Sequence, residues 1–282
     1  MIEVIFLLAL GLIWIIFAAI CDWKTTEIPN WLNFSLVIFA LGIRFFYSLF
    51  STGSFSFFYQ GLIGFGIFLA IGNLMYYGRI FGGGDAKLMY GLGAILPLSN
   101  NLFTNLEIFI SFLFLFLFVG GIYGLFAAVY IALSNRKKFW EKFKILFNKN
   151  IVFVRTIISI GIIMMALGII LDELLLYSGV LIFALPLLYL FTKSVDESCM
   201  KKEVLPEFLR EGDLLYNNIK IDRKLIKVDW NGLTKEEIKI LRKRNRPVLI
   251  KQGICFGIVF LISFLLLIYF YLINTGLWNS FW

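Results

Sequence analysis

Long apolar runs, separated by short polar loops, dominate the chain from its second residue onwards. The hydrocarbon core of a bilayer is about 30 Å thick and is crossed by roughly 20 helical residues. The runs recur at about this length, apart from a fourth run of 13 residues. The pattern predicts an all-α polytopic membrane protein with about eight transmembrane helices, at residues 2–20, 31–50, 57–77, 86–98, 108–133, 151–171, 174–191 and 254–273.

Basic residues divide the loops between these helices into two sides. With the N-terminus outside, 25 of the 26 Lys and Arg lie in or beside the inside loops, at residues 21–30, 78–85, 134–150 and 192–253. The exception is Arg44, within the second span, which we expect to be paired or to reach the outer surface. Because cytoplasmic loops carry the excess of Lys and Arg, the chain is predicted to lie in the plasma membrane with these loops in the cytoplasm.

Composition excludes several classes of protein. Of the 282 residues, 60% are hydrophobic and 16% are charged, with a mean hydropathy of +0.88, whereas about 25% of residues are charged in a soluble domain. An ordinary soluble enzyme, a disordered chain and a fibrous repeat are therefore excluded. The net charge of +8 follows from the topology, so membrane lipid, and no nucleic acid, is the expected partner of the basic loops.

Several kinds of site are excluded as well. The chain has no histidine, which excludes Ser-His and Cys-His catalysis and His-based metal sites. Its three cysteines form no CxxC pair, so neither a zinc site nor a disulfide is expected. The first apolar run has no basic residues before it, and we interpret it as a retained helix rather than a signal peptide.

Residues 192–253 form the only long polar stretch, with 15 Lys or Arg and 10 Asp or Glu. Residues 234–237 have capping-box spacing and predict a helix that ends before Pro247, and 214–228 predict a small hairpin that turns at Asn217-Asn218. This cytoplasmic α/β insertion is too small for a large core of its own and is expected to lean on the membrane helices. The predicted domains are a membrane core, the insertion, and a C-terminal helix with its tail, at residues 1–191, 192–253 and 254–282.

Acidic side chains near the membrane are scarce, and three of them lie at inside boundaries: Asp22, Glu27 and Asp85. Ionisable groups at membrane helices indicate function by default, because burying them is costly. Asp22 ends the first span, and Pro29 at the start of the next helix makes the connecting loop a tight turn. Asp85 follows the glycines Gly82–Gly84, which free the backbone, and begins the short fourth helix.

Two Asp residues on one side of the membrane, each on a loop that joins helices, meet the requirement of an aspartic protease. One carboxylate takes a proton from water, while the other, protonated, donates to the peptide carbonyl. Neighbouring carboxylates do not both ionise easily, so the pair titrates as a unit. This chemistry needs neither a metal nor a cofactor.

Other interpretations of these residues stay open. Asp22 could pair with Lys24 at the helix end, and Asp85 could cap its helix beside packing glycines. Lys87 is explained by topology or by positioning of substrate. The same carboxylates could serve an ion-coupled transporter, although acids near the midplane and repeated broken helices are not seen. They could also belong to a non-catalytic scaffold whose insertion binds a cytoplasmic partner.

The residues around both Asp resemble those of a known family. The run from Gly82 to Leu88, Gly-Gly-Gly-Asp-Ala-Lys-Leu, is similar to the GxGD-x-K-[LM] pattern of type IV prepilin peptidases and preflagellin (prearchaellin) peptidases. Asp22, followed by Ile28-Pro-Asn30, is similar to their first motif, and the spacing of 63 residues between the two Asp also fits. The resemblance covers roughly residues 1–133.

This resemblance implies a six-span core and a membrane aspartic endopeptidase that removes the short basic leader from type IV pilin-like or archaellin precursors on the cytoplasmic side. It implies Asp22 and Asp85 as the catalytic pair, with Gly82, Gly83, Gly84, Lys87, Pro29 and Asn30 in the active-site loops. Glu27, an acid beside Asp22, is a candidate contact for the basic leader. Residues beyond about 193 resemble the extension of archaeal members, so an archaeal member is expected. N-methylation is not expected, because the paired CxxC motifs of the methylating bacterial members are not found.

Overall fold

The computed structural model describes residues 2–50, 55–221, 224–229, 232–244, 246–251 and 253–273. The helices in this part of the chain are α1 Ile2–Thr25, α2 Asn30–Phe50, α3 Ser56–Tyr77, α4 Gly83–Ile95, α5 Leu102–Ser134, α6 Arg136–Lys149, α7 Ile151–Leu171, α8 Glu173–Ser198, α9 Lys235–Arg244 and α10 Gly257–Ile273. The strands are β1 Lys201–Val204, β2 Leu214–Leu215, β3 Ile219–Ile221, β4 Lys224–Ile226 and β5 Val248–Lys251, with a short 3₁₀ helix at Pro206–Phe208.

Six helices in these described ranges are long and apolar enough to cross a membrane: α1, α2, α3, α5, α7 and α8. This agrees with the expected helical, multi-pass membrane protein. The other two predicted spans correspond to α4, with 13 residues, and α10, with 17. With 13 residues, α4 is shorter than a straight crossing needs, and α10 is described only as far as Ile273, so the count of eight spans stays a prediction.

Residues 136–149, which we assigned to a loop, form the helix α6. Phe139 and Leu146 are buried, with Phe143 packed beside them, so the apolar positions follow a helical spacing on one side. The surrounding lysines masked that spacing in the sequence, because a basic run between two apolar runs is more typical of a loop.

The structure groups the residues into two compact units, Met1–Gly124 with Ile254–Trp282 and Leu125–Gly253. We call them the first unit and the second unit. Their boundaries differ from those of the three predicted domains, which stay a prediction.

The first unit is built around α4. Helices α1, α2 and α3 pack against it, and its side chains from Ala86 to Ile95 are mostly buried. A helix that is apolar on every side is typical of a bundle interior. Gly64 of α3 and Gly93 of α4 let the two backbones approach, since a Cβ at either would collide with the carbonyl oxygen of the other.

Arg44 of α2 clamps the C-terminal end of α4 and is fully buried. Its Nε donates to the carbonyl of Ala94 at 2.8 Å and Nη2 to that of Ile95 at 3.0 Å, with Pro97 as a further acceptor. Nη1 donates to the carbonyl of Phe57 at 2.9 Å, and the guanidinium lies over the Phe57 ring. Arg44 is therefore paired, as one of the two expectations had it, but with backbone carbonyls, and it is buried rather than at the outer surface. Ala94, Ile95 and Pro97 lie at or just beyond the end of α4, where a helix leaves carbonyls unpaired, whereas Phe57 lies in the first turn of α3.

The second unit contains α6, α7, α8 and the polar insertion. Lys142 of α6 pairs with Glu197 of α8 at 2.8 Å. In the insertion, the strand order is β1-β5-β2 with antiparallel pairing, and β3 pairs with β4 in a separate hairpin. Lys251 of β5 pairs with Asp196 of α8 at 2.6 Å; both residues belong to the predicted insertion, so its contact with the membrane helices stays a prediction.

The insertion confirms one local prediction and corrects another. Thr234 and Glu237 form the capping box, with the Thr234 N–H donating to Glu237 Oε2 at 3.0 Å, and α9 follows directly. The hairpin exists, but Asn217 and Asn218 precede β3 rather than forming its turn. Instead, Asn218 Oδ1 accepts the N–H of Val228 at 2.7 Å. This hydrogen bond joins the residue before β3 to the segment after β4, at the open end of the hairpin.

Candidate active site

Asp22 lies in the last turn of α1, and its side chain is buried. The helix ends because Thr26 adopts a left-handed conformation, with φ +56°. The Thr26 N–H donates to the Asp22 carbonyl at 2.8 Å, and the Thr25 hydroxyl donates to the carbonyl of Cys21 at 2.8 Å. Positive φ is uncommon for a β-branched residue, and here it reverses the chain directly after Asp22.

Ile28 and Pro29 lead the chain from this turn into α2. Ile28 is buried, and the Pro29 carbonyl accepts the N–H groups of Leu32 and Asn33 at 3.1 and 3.4 Å. Proline suits this position because the first helical turn leaves its N–H groups without helical partners. Asn30 then begins α2, so the connection between Asp22 and the second helix is the expected tight turn.

The glycines Gly82–Gly84 carry Asp85 into the first turn of α4. Gly82 is extended, with φ −68° and ψ 161°, and Gly83 begins the helix. The Asp85 side chain is half-buried, and its carboxylate accepts a hydrogen bond from the Gly82 backbone. An acid in the first turn of a helix is favoured by the helix dipole, so the capping role considered for Asp85 is present in part.

Gly84 and Gly83 differ in the space around them, which gives a matched pair of substitutions. A Cβ at Gly84 would lie 3.2 Å from Ile28 Cβ, whereas a Cβ at Gly83 would meet no atom nearer than Tyr76, at 3.8 Å. We expect Gly84→Ala to destabilise the protein by about 1–3 kcal/mol, the usual cost of overpacking, and Gly83→Ala to have little effect. Thermal unfolding of the detergent-solubilised protein measures both. Equal losses would contradict this account of the turn.

Two hydrogen bonds join the start of α2 to the glycine turn. Asn33 Nδ2 donates to the Gly84 carbonyl at 3.1 Å, and Lys87 Nζ donates to Asn30 Oδ1 at 2.6 Å. Asn33 is buried, and within the described residues its Oδ1 has no hydrogen-bond partner. We did not predict a role for Asn33, although a polar residue in the first turn of an apolar helix is a signal that could have identified it.

The charge of Asp22 acts on the carboxyl group of Asp85. Burial, and next to it the negative charge of Asp22, raise the pKa of Asp85 to about 7. Such an effect requires like charges that lie near one another. Within the described residues, Asp22 forms no ion pair with Lys24, so the pairing considered for this helix end is not seen. Gly84 lies against Ile28, and Asn33 bonds to the Gly84 carbonyl, so the turns that carry Asp22 and Asp85 are adjacent.

A third segment reaches Asp22 from far along the sequence. The backbone N–H of Gly257 donates to Asp22 Oδ2 at 2.7 Å, and Cys255 Sγ donates to the Asp22 carbonyl at 3.3 Å. We did not predict this contact, because Cys-Phe-Gly at the edge of an apolar run matches no motif.

Glu27 lies in the turn that follows Asp22. Its side chain is exposed, and its backbone carbonyl accepts the Thr25 hydroxyl at 3.0 Å within the turn. The described parts of the chain contain no group of three or more His, Cys, Asp or Glu residues that could hold a metal ion.

The segment that contains both Asp residues has known relatives. Residues 9–128 match the type IV leader peptidase family. The resemblance found in the motifs is confirmed for this segment. A preflagellin peptidase of Methanococcus voltae is 36% identical over 89 residues, which are 32% of this chain and 37% of that protein. A preflagellin peptidase of Methanocaldococcus jannaschii is 35% identical over 106 residues, 37% and 44% of the two chains. No solved structure matches.

The chain thus aligns with less than half the length of these two curated relatives. Asp22, Asp85 and the glycine turn lie within the leader peptidase segment. Gly257, which binds Asp22, lies outside it.

Proposed function

We propose that the chain is a membrane-embedded aspartic endopeptidase that removes the short basic leader from type IV pilin-like or archaellin precursors. The observation that carries the proposal is the convergence of Asp22 and Asp85, 63 residues apart, inside the segment that matches the leader peptidases. The names of the two archaeal relatives support archaellin-type precursors as substrates.

In the proposed reaction, the two Asp residues divide the proton transfers. Asp85 is the member that carries the proton, in line with its raised pKa, and Asp22 is ionised. The oxygen of a water molecule bonds to the scissile carbonyl carbon while Asp22 takes its proton and Asp85 protonates the carbonyl oxygen. The tetrahedral intermediate then breaks its C–N bond. Asp22 gives its proton to the leaving nitrogen, and Asp85 recovers its own from the hydroxyl group.

We place this site on the cytoplasmic side of the plasma membrane, with the N-terminus outside. The distribution of Lys and Arg supports this orientation. The eight predicted spans, with α4 and α10 as the two short ones, fit the same orientation. Glu27, exposed next to the Asp22 turn, is the proposed contact for the basic leader, and Lys87 bonded to Asn30 holds the loops together.

The experiment that tests the proposed function is a cleavage assay. The purified protein in phospholipid vesicles is incubated with several pilin-like and archaellin precursors, and the products are sequenced from their new N-termini. We expect a cut between the basic leader and the hydrophobic helix of at least one precursor. A protein that cuts none of them, but moves ions across the vesicle membrane, would be the transporter that uses the same carboxylates. Activity that survives deletion of residues 193–251 would separate catalysis from any scaffold role of the insertion.

The raised pKa of Asp85 predicts a fall in activity on the alkaline side. The general acid is protonated below its pKa of about 7 and loses its proton above it, so kcat/KM should decrease about tenfold between pH 6 and pH 8. Initial rates across this range measure the effect. Two precursors with different leader charges should show the same fall in kcat/KM with pH. Enzyme that is returned from pH 8 to pH 6 should regain its initial rate. A rate that stays constant to pH 8 would contradict the assignment of Asp85 as the acid.

A further inference from the structure

The residues before α10 form a third wall of the Asp22 site. Cys255 and Gly257 both donate hydrogen bonds to Asp22, the first to its carbonyl and the second to Oδ2 of its carboxylate. Gly257 is the first residue of α10, where backbone N–H groups have no helical acceptor and are available for an anion. The contact joins positions 235 residues apart.

The structure leaves no free space for a side chain at Gly257. A Cβ there would lie 3.0 Å from Ala19 Cα and 3.1 Å from both Asp22 Cβ and Asp22 Oδ2. Two of these three neighbours belong to the carboxylate side chain itself. Any larger residue would therefore push on Asp22, so the close approach of the two backbones and the 2.7 Å hydrogen bond depend on each other.

We infer that Gly257 is a positioning residue of the proposed peptidase: its backbone N–H holds Asp22 Oδ2 and leaves Oδ1 to take the proton from water. The inference rests on the proposed function. A hydrogen bond to a carboxylate favours the ionised form, and the N-terminal end of a helix does the same. The segment before α10 thus sets which of the two Asp residues is the base.

The titratable groups that face Asp22 from the surrounding helices do not favour its ionised form. The titratable side chains near it are Asp85 of α4, Cys255, and Tyr123 of α5. Each of them is neutral or negative, so none supplies a positive charge that would keep Asp22 ionised. Among the described contacts of its carboxylate, the charge of Asp22 therefore depends first on the Gly257 N–H and next on the backbone of Phe256.

The test compares variants that remove the N–H with one that keeps it. Gly257→Pro has no N–H, and proline is compatible with the first position of a helix. Gly257→Ala keeps the N–H and adds the same Cβ, so it controls for crowding. A third variant replaces the amide at 257 by an ester, made by ligation at Cys255, which removes the N–H without adding bulk. It keeps the test valid if the proline variant does not fold.

We expect the ester and Gly257→Pro to lower kcat by roughly 10- to 100-fold, the range for a hydrogen bond to a charged group, with little change in KM. The acid limb of the pH–rate profile should move to higher pH in both, and by clearly more than in Gly257→Ala, which crowds Asp22 but keeps the N–H. An ester variant with normal kcat, or one whose rate falls without a shift of that limb, would overturn the inference.

The experiments distinguish a failure of the Gly257 inference from a failure of the proposed function. If the wild-type protein cuts a precursor and Asp22→Asn does not, while the ester variant behaves as wild type, only the role of Gly257 is wrong. If the wild-type protein cuts no precursor, the proposed function and this inference are both wrong.

Discussion

Replacing Asp22 or Asp85 by Asn should lower the rate of leader cleavage by at least about 1,000-fold, while the protein still accumulates in the membrane. Asn has nearly the same shape as Asp but cannot take a proton from water or hold one for the carbonyl. A positioned acid or base commonly contributes 100- to 10,000-fold. Single-turnover cleavage of a precursor, at matched protein amounts, measures the loss.

The hydrogen bonds around both positions explain why these variants should fold. An Asn at 22 can still accept the Gly257 N–H, and an Asn at 85 can still accept the bond from Gly82. Because the two carboxylates act as a unit, the double variant should be no slower than the slower single variant. Normal cleavage by either single variant would exclude the two-Asp mechanism.

Glu27→Gln is the matched control, since it removes an acid from the same turn. Glu27 is exposed, so kcat should be unchanged. If Glu27 contacts the basic leader, KM should rise by up to about fivefold, because an exposed charge pair contributes about 1 kcal/mol or less. A loss of kcat as large as that of Asp22→Asn would show that any change in this turn disrupts the site.

The second large effect is expected at Arg44. Arg44→Met should destabilise the protein by roughly 3 kcal/mol or more, because it leaves buried carbonyls at the end of α4 without donors, at about 1–3 kcal/mol each. The carbonyls that lose their partner belong to Ala94, Ile95, Pro97 and Phe57. The midpoint of thermal unfolding in detergent measures the change. Because α4 also carries Asp85, at its other end, a helix that has lost its Arg44 contacts should position Asp85 less well. Cleavage should therefore fall too.

Two glycines of α3 provide the matched comparison for Arg44. A Cβ at Gly61 would collide with Arg44 Cδ, whereas a Cβ at Gly66 would meet no atom within 4 Å. Gly61→Ala should therefore reproduce part of the Arg44→Met loss, and Gly66→Ala should be neutral. If Arg44→Met unfolds at the wild-type temperature, the hydrogen bonds of Arg44 do not stabilise α4.

The sequence predicts well those features that depend on neighbouring residues. Apolar runs locate the long helices, and Thr234 with Glu237 locates the start of α9, because both signals are contained within a few turns of chain. The two Asp motifs are of the same kind: each Asp lies beside a short loop with a recognisable sequence, so the motif spacing is enough to propose the pair.

Contacts between distant residues escaped prediction. The acceptors of Arg44 are backbone carbonyls, which carry no residue identity, so the sequence showed only a charge in the wrong place. Gly257 acts through its N–H and its lack of a side chain, and neither property can be read from one glycine in an apolar run. The α6 helix was missed for a third reason, since its lysines obscured three apolar positions.

The hydrogen bond between residues 22 and 257 also has a consequence for biosynthesis. A ribosome adds about 5–20 residues per second, so roughly 12–47 s separate the synthesis of Asp22 from that of its partner. Through that interval both Asp residues can already be in the membrane, yet the base lacks the donor that orients it. A nascent chain would therefore cut neighbouring proteins at the site of its own insertion only slowly, and the full rate would be reached when the last helix has entered the bundle.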